Sequence, residues 1–178
     1  RTFTVPADWK DQRVMLNFGA VDWDCTVWLN GKKIGSHQGG YDPFSFDMTD
    51  ALKAGDEQEL TVAVWDPSHL GVQTVGKQHT NLKGIWYTPV TGIWQTVWME
   101  PVNKIAVASI DVKVDFEDRA AQINVSHRMY SNARNSERTI KVLDGSKVVG
   151  GGGGGMKLIS GKPNVDITTE HIAITATE

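Results

Sequence analysis

Asp66, Trp86 and Tyr87 are the side chains of this 178-residue sequence whose types and placement suit a definite chemistry, the recognition of a sugar. A flat aromatic ring covers the apolar face of a pyranose, while a carboxylate beside it accepts hydrogen bonds from the ring hydroxyls. Trp65-Asp66-Pro67-Ser68 leaves one apolar run and Gly84-Ile85-Trp86-Tyr87-Thr88-Pro89 precedes the next. Both loops can therefore meet at one end of a layered β-structure, where loops carry function. These three residues form the candidate substrate-binding set.

No residue is assigned a catalytic role. The five histidines, His37, His69, His79, His127 and His171, show no metal-ligand spacing, and no nucleophile elbow is present. His37 and His69 follow strands near the aromatic loops, where a sugar contact and an exposed turn both fit. Asp42, Asp47 and Asp50 are read as turn and helix-cap acceptors, with calcium ligation as the alternative. No metal and no cofactor is assigned. The six glycines at 150–155 satisfy a glycine-rich nucleotide pattern trivially, but Gly155-Met156-Lys157-Leu158 lacks the Lys-Ser/Thr pair that reaches phosphates and magnesium.

The elements that must position these residues are strands. Arg13-Val14-Met15-Leu16-Asn17-Phe18, Leu60-Thr61-Val62-Ala63-Val64-Trp65 and Gln95-Thr96-Val97-Trp98-Met99 are short apolar or alternating runs. Thr26-Val27-Trp28-Leu29 has β-branched and aromatic content, and Asn30-Gly31 supplies the two positive-φ positions of a tight hairpin leading to Ile34-Gly35-Ser36. Met48 to Ala54 reads as a single connecting turn. Trp28, Trp65 and Trp98 sit inside strands and are expected in the core. Trp23 and Trp94 suit either the core or an interdomain face, and Tyr41-Asp42-Pro43-Phe44 reads as a loop plug. Cys25, the lone cysteine, is expected as a small buried residue in its strand.

All seven tryptophans precede residue 99, so the remainder must build its core from Val, Ile and a few others, and Pro101 closes the first unit. The boundary is placed near Pro101 to Lys104, giving domains 1–103 and 104–178. Alternation resumes in 105–115, 121–126 and 139–143, with an Asp144-Gly145 turn after it, a spacing suited to an immunoglobulin-like sandwich. The glycine run is expected to be a floppy loop, and the Asn124-Val125-Ser126 sequon to be incidental.

A formal charge of −3 with scattered cations offers no basic stripe, which excludes nucleic acid as the expected partner. No apolar run reaches the ~20 residues that span a bilayer, so no membrane contact is expected. With Arg1 first, a signal peptide is expected to be absent or already removed.

The sequence 18–50, FGAVDWDCTVWLNGKKIGSHQGGYDPFSFDMTD, together with Gly84-Ile85-Trp86-Tyr87-Thr88-Pro89-Val90-Thr91-Gly92-Ile93-Trp94-Gln95-Thr96-Val97-Trp98, resembles the N-terminal domain of family 2 glycoside hydrolases, the β-galactosidase and β-glucuronidase group. The resemblance implies an all-β chain: a jelly-roll, galactose-binding-like β-sandwich followed by an immunoglobulin-like sandwich that lacks its final strand. It implies that the chain is a non-catalytic fragment shaping the active site of a parent that hydrolyses O-glycosidic bonds. In the family the catalytic carboxylates lie on a (β/α)-barrel C-terminal to these domains, the acid/base glutamate following an asparagine. This chain has no Asn-Glu dipeptide and no alternation of strands with long helices. The implied partners are a β-glycoside and the missing barrel, with a homo-oligomer allowed and the compartment open between bacterial periplasm and cytoplasm. Asp66 is the nearest match to a family Asp that touches the sugar, although the loop from His69 to Lys83 departs from the family in length and content. Two other readings stand beside this one: an independent carbohydrate-binding module, and a β-sandwich whose aromatic face docks another protein.

Overall fold

A computed structural model of the chain describes residues 1–55, 57–115, 117, 120–130, 135–144, 146–157 and 168–175. It divides into two compact units, Arg1–Pro101 and Val102–Glu178, and the architecture is all-β, as the run lengths predict.

The first unit contains β1 (Thr2–Phe3), β2 (Arg13–Phe18), β3 (Val21–Asp22), β4 (Asp24–Leu29), β5 (Lys32–Gln38), β6 (Phe44–Asp47), β7 (Gln58–Trp65), β8 (Gly92–Ile93) and β9 (Val97–Val102). They form a four-stranded sheet in the order β1-β7-β4-β5, a three-stranded sheet β6-β2-β9 and the ribbon β3-β8. The apolar faces of the two larger sheets meet: Val14, Leu16 and Phe18 of β2 cluster with Cys25, Val27 and Leu29 of β4. Cys25 is buried, as its place in the alternation of β4 requires. Fully burying side chains of this size contributes about 1.5–3 kcal/mol each, so this cluster holds the two sheets together.

Asn30 and Gly31, at φ 52° and 81°, make the tight turn from β4 to β5 that the Asn-Gly pair predicts. Within β5, Gly35 lies directly beneath the Phe46 ring, and a Cβ there would collide with Cε1 of that ring. The short turn Thr49–Ala51 follows β6. Asp47 Oδ1 accepts from the Thr49 N–H at 3.1 Å and from its hydroxyl at 2.7 Å, while Asp47 Oδ2 pairs with Arg13 at 2.7 Å. Turn bonding and an ion pair therefore occupy Asp47, and Asp50 pairs with the same guanidinium at 3.0 Å.

The tryptophans in strands correct the sequence reading. Trp65 is 63% exposed and Trp98 43%, and Trp28 is only half-buried. Parity is the reason. Leu60, Val62 and Val64 of β7, and Val97 and Met99 of β9, pack on the core, so the residues between them face outward.

The second unit contains β10 (Ile105–Asp115), β11 (Ala120–Met129), β12 (Asn135–Asp144), β13 (Lys147–Lys157) and β14 (Thr168–Thr175). Its sheet runs β10-β11-β14, with β12 and β13 as an antiparallel pair. Ile123 and Val125 are buried and Ile140 packs on them. Asn124 of the sequon lies in β11 and donates to Asp111 Oδ2 at 3.3 Å across the ladder. The glycine run is the second correction, because 150–155 lies within β13 and pairs from Val142↔Gly150 to Glu137↔Gly155. A ladder is made by main-chain groups alone, and the Thr139-Ile140-Lys141-Val142 stretch of β12 supplies a β-prone partner. Gly145 of the expected turn lies outside the described residues, as does Leu158.

Candidate functional site

A cavity of about 470 Å³ opens on the first unit beside the β3-β8 ribbon, with Asp22, Tyr41, Gln78, Thr91, Ile93 and Trp94 in its wall. That volume falls within the range of small-molecule sites. The ribbon sets the geometry by pairing Val21 with Ile93 and Asp22 with Gly92. Gly92 takes φ 118°, a conformation that favours glycine. Trp94 Nε1 donates to the Gly40 carbonyl at 2.7 Å, and the Tyr41 ring meets Trp94 edge-on at 5.8 Å. The Asp22 carboxylate lies so close to Gly40 that a Cβ there would stand 2.7 Å from Oδ1. A larger residue at 40 would displace either the acid or the loop.

The polar groups of this wall form a connected set. Gln78 Oε1 accepts from the Val90 N–H at 2.6 Å, and the Gln78 side chain hydrogen-bonds Asp22. Asp66 accepts from the Ser68 N–H at 2.7 Å and from the Thr91 hydroxyl at 2.9 Å. Burial pushes the Asp22 carboxyl above its ordinary value, the negative charge of Asp66 adds to the rise, and the Gln78 hydrogen bond opposes it. The arrangement offers hydroxyl-bonding acceptors and an amide beside two aromatic edges.

The three residues singled out from sequence are placed as follows. Asp66 follows directly on β7 at the Asp22 side of the cavity, tied to its wall through Thr91. Trp86 and Tyr87 stand outside the cavity wall on a short ladder: the Tyr87 N–H donates to Lys77 O at 2.7 Å, and the His79 N–H donates to Tyr87 O at 3.0 Å. Gln78 joins the two regions, since its backbone pairs with Tyr87 while its amide reaches Asp22. Both Trp86 and Tyr87 are exposed, and Trp86 meets the His79 ring at 5.4 Å.

Sequence reasoning missed Asp22, Tyr41, Gln78 and Trp94 as parts of one wall. The Asp22-to-Gly92 pairing that gathers them joins residues seventy positions apart, and no local pattern marks it. The loop 41–44 is divided in its role. Phe44 stacks on Phe18 at 4.8 Å as a plug, while Tyr41 belongs to the cavity. No group of three or more His, Cys, Asp or Glu side chains suited to a metal occurs among the described residues.

Residues 1–99 match the family described as glycosyl hydrolases family 2, sugar binding domain. A β-galactosidase of Priestia megaterium is 39% identical over 150 residues, covering 80% of this chain and 13% of that protein. A β-galactosidase of Thermoanaerobacter pseudethanolicus is 28% identical over 129 residues, or 70% of this chain and 16% of that protein. Among solved structures, a putative β-galactosidase from Bacteroides fragilis superposes with a TM-score of 0.75 at 24% identity, covering 99% of this chain and 26% of that one. The chain thus spans less than a third of each of these proteins. It belongs to family 2 of the glycosyl hydrolases, and its first 99 residues are that family's sugar binding domain.

Proposed function

We propose that this chain is the non-catalytic N-terminal part of a larger β-galactosidase or β-glucuronidase type enzyme, and that it shapes one side of the pocket in which an O-glycosidic bond is hydrolysed. The match of residues 1–99 to the sugar binding domain carries this reading. Residues 1–103 form the jelly-roll sugar-binding domain and 104–178 an immunoglobulin-like domain, with the catalytic barrel supplied beyond them. Retaining hydrolysis needs two carboxyl groups about 5 Å apart, one as nucleophile and one as acid/base, and the barrel supplies that pair. Asp66, Trp86 and Tyr87 line one rim. A carboxylate has about four acceptor positions, so Asp66 can keep its bonds to Ser68 and Thr91 and still accept from a sugar hydroxyl.

The test is turnover of nitrophenyl β-galactoside and β-glucuronide by this chain alone and by the longer protein that contains it. The longer protein is expected to hydrolyse one of them and the chain alone neither. Turnover by the purified chain that disappears on changing a single Asp or Glu would overturn the reading. The cavity favours a second reading, an independent carbohydrate-binding module, because its aromatic and carboxylate wall comes from the first unit alone. Sugar binding by the isolated chain, without a barrel, is the mark of that alternative.

A further inference from the structure

Parity turns Trp98 away from the core, since its neighbours Val97 and Met99 pack inward, and on its outer side Trp98 borders a second hollow. This groove, of about 560 Å³, is lined by Tyr41, Pro43, Trp94, Gln95, Thr96 and Trp98, and its volume again suits a small-molecule site. Single exposed rings are ordinary, but here three exposed rings, Tyr41, Trp94 and Trp98, stand around one concavity. Trp94 is held in place: its Nε1–H donates to the Gly40 carbonyl at 2.7 Å, and Tyr41 meets it edge-on. It therefore presents ring surface with its donor already engaged. Gly19 completes the lining, and a Cβ there would stand 2.8 Å from Gln95 Cβ and 3.0 Å from Gln95 Oε1. The lack of a side chain at 19 lets Gln95 lie close over it. The Gln95 amide and the Thr96 hydroxyl belong to exposed residues, and neither hydrogen-bonds another described residue.

We propose that this groove is a second sugar subsite, which takes an uncharged pyranose linked to the sugar held in the cavity. Its composition matches both sides of such a ring: aromatic faces for the apolar side, an amide and a hydroxyl for the OH groups. None of its lining residues carries a charge, so no group there pairs with a carboxylate or phosphate, and the unit it takes is neutral. Its place is continuous with the cavity, because Tyr41 and Trp94 line both hollows. Two units held on either side of one indole are neighbours in a sugar chain. The groove also lies wholly within residues 1–99, the part that matches the sugar binding domain. The ligand class rests on the reading of the cavity as part of a glycoside pocket given above; the geometry of the groove does not.

The experiment is competitive inhibition of nitrophenyl β-glycoside hydrolysis by the longer enzyme proposed above. Two competitors that resist hydrolysis are compared: the free sugar of the preferred substrate, and the sulfur-linked disaccharide in which that sugar is β-joined to glucose. The wild-type enzyme is expected to hold the disaccharide about tenfold more tightly than the free sugar, the size of one well-packed aromatic contact. Trp98→Ala should bring that ratio toward one, and Trp98→Phe, which keeps a ring, should retain most of it. Gln95→Ala, at an exposed position with no side-chain bond to lose, should lower the ratio about threefold. A ratio near one in the wild type would overturn the subsite, and is the result expected if polypeptide rather than sugar covers the groove. An unchanged ratio in Trp98→Ala, or in Gln95→Ala should Trp98→Ala fail to fold, would overturn it, as would an equal loss for both competitors. In each of these cases the wild-type enzyme still turns over the glycoside. No turnover by the longer enzyme is instead the failure of the reading above, and it would remove the subsite as well.

Discussion

Asn30→Ala should destabilise the first unit by about 3 kcal/mol, through a side chain whose three bonds tie its turn to two other elements, the Thr49–Ala51 turn and β7. Asn30 stands at φ 52° in the turn between β4 and β5. Its Nδ2 donates to Ala51 O and to Gln58 Oε1, each at 2.8 Å, and its Oδ1 accepts from the Glu59 N–H at 3.0 Å. Each bond contributes about 0.5–1.5 kcal/mol net, and holding alanine in a left-handed conformation costs roughly 1–2 kcal/mol. Together these terms give about 2.5–6.5 kcal/mol. Gln58, 2% exposed, keeps two bonds to the Lys53 backbone, both at 2.9 Å, which brings the sum toward the lower figure. Asn30→Gly removes the same bonds without the conformational strain and should cost about 1 kcal/mol less. Urea unfolding followed by tryptophan fluorescence reads the right part of the molecule, since all seven tryptophans lie in the first unit. A loss below about 1 kcal/mol for Asn30→Ala, or equal losses for Ala and Gly, would refute this account of the turn.

Two further outcomes follow from burial. The folded Asp22 carboxyl is raised above its unfolded value by burial and by the negative charge of Asp66, so the native state holds that proton more tightly and loses stability as pH rises from the ordinary carboxylate range through the raised folded value. Asn at position 22 should then stabilise the chain at neutral pH, with the difference closing as pH falls below that range; a destabilised variant at pH 7 in urea titrations would contradict the assignment. Cys25 is 1% exposed and burial pushes its thiol pKa up, so a thiol reagent should modify it only on the timescale of unfolding, and rapid labelling of the native chain would disprove that protection.

What the sequence made legible is what local chemistry determines. Asn30-Gly31 could be placed in a tight hairpin because the turn demands positive φ, and Cys25 could be buried because it alternates with Thr26 and lies between polar neighbours in a strand. The errors fall where a second strand decides. Trp65 and Trp98 occupy strands as expected, but which face of a strand is inward depends on pairing register, and a shift of one residue exchanges core for solvent. The 150–155 glycines lack any side-chain signal for a strand, and their pairing with Glu137 to Val142 is set by the partner. The candidate site shows the same division. Asp66 was visible as a carboxylate at a strand end, whereas Asp22 and Gln78 become its neighbours only through the β3-β8 ribbon and the Gln78–Tyr87 bridge.

The most direct measurement is kcat/KM for Asp66→Ala in the longer enzyme proposed above, with Trp86→Ala alongside and folding checked by the urea midpoint. A hydrogen bond from a sugar hydroxyl to a charged group contributes about 1.5–3 kcal/mol, so kcat/KM for the preferred nitrophenyl β-glycoside should fall by about tenfold to a hundredfold. Unchanged kinetics in both variants, with stability intact, would contradict the claim that this face of the domain touches the sugar.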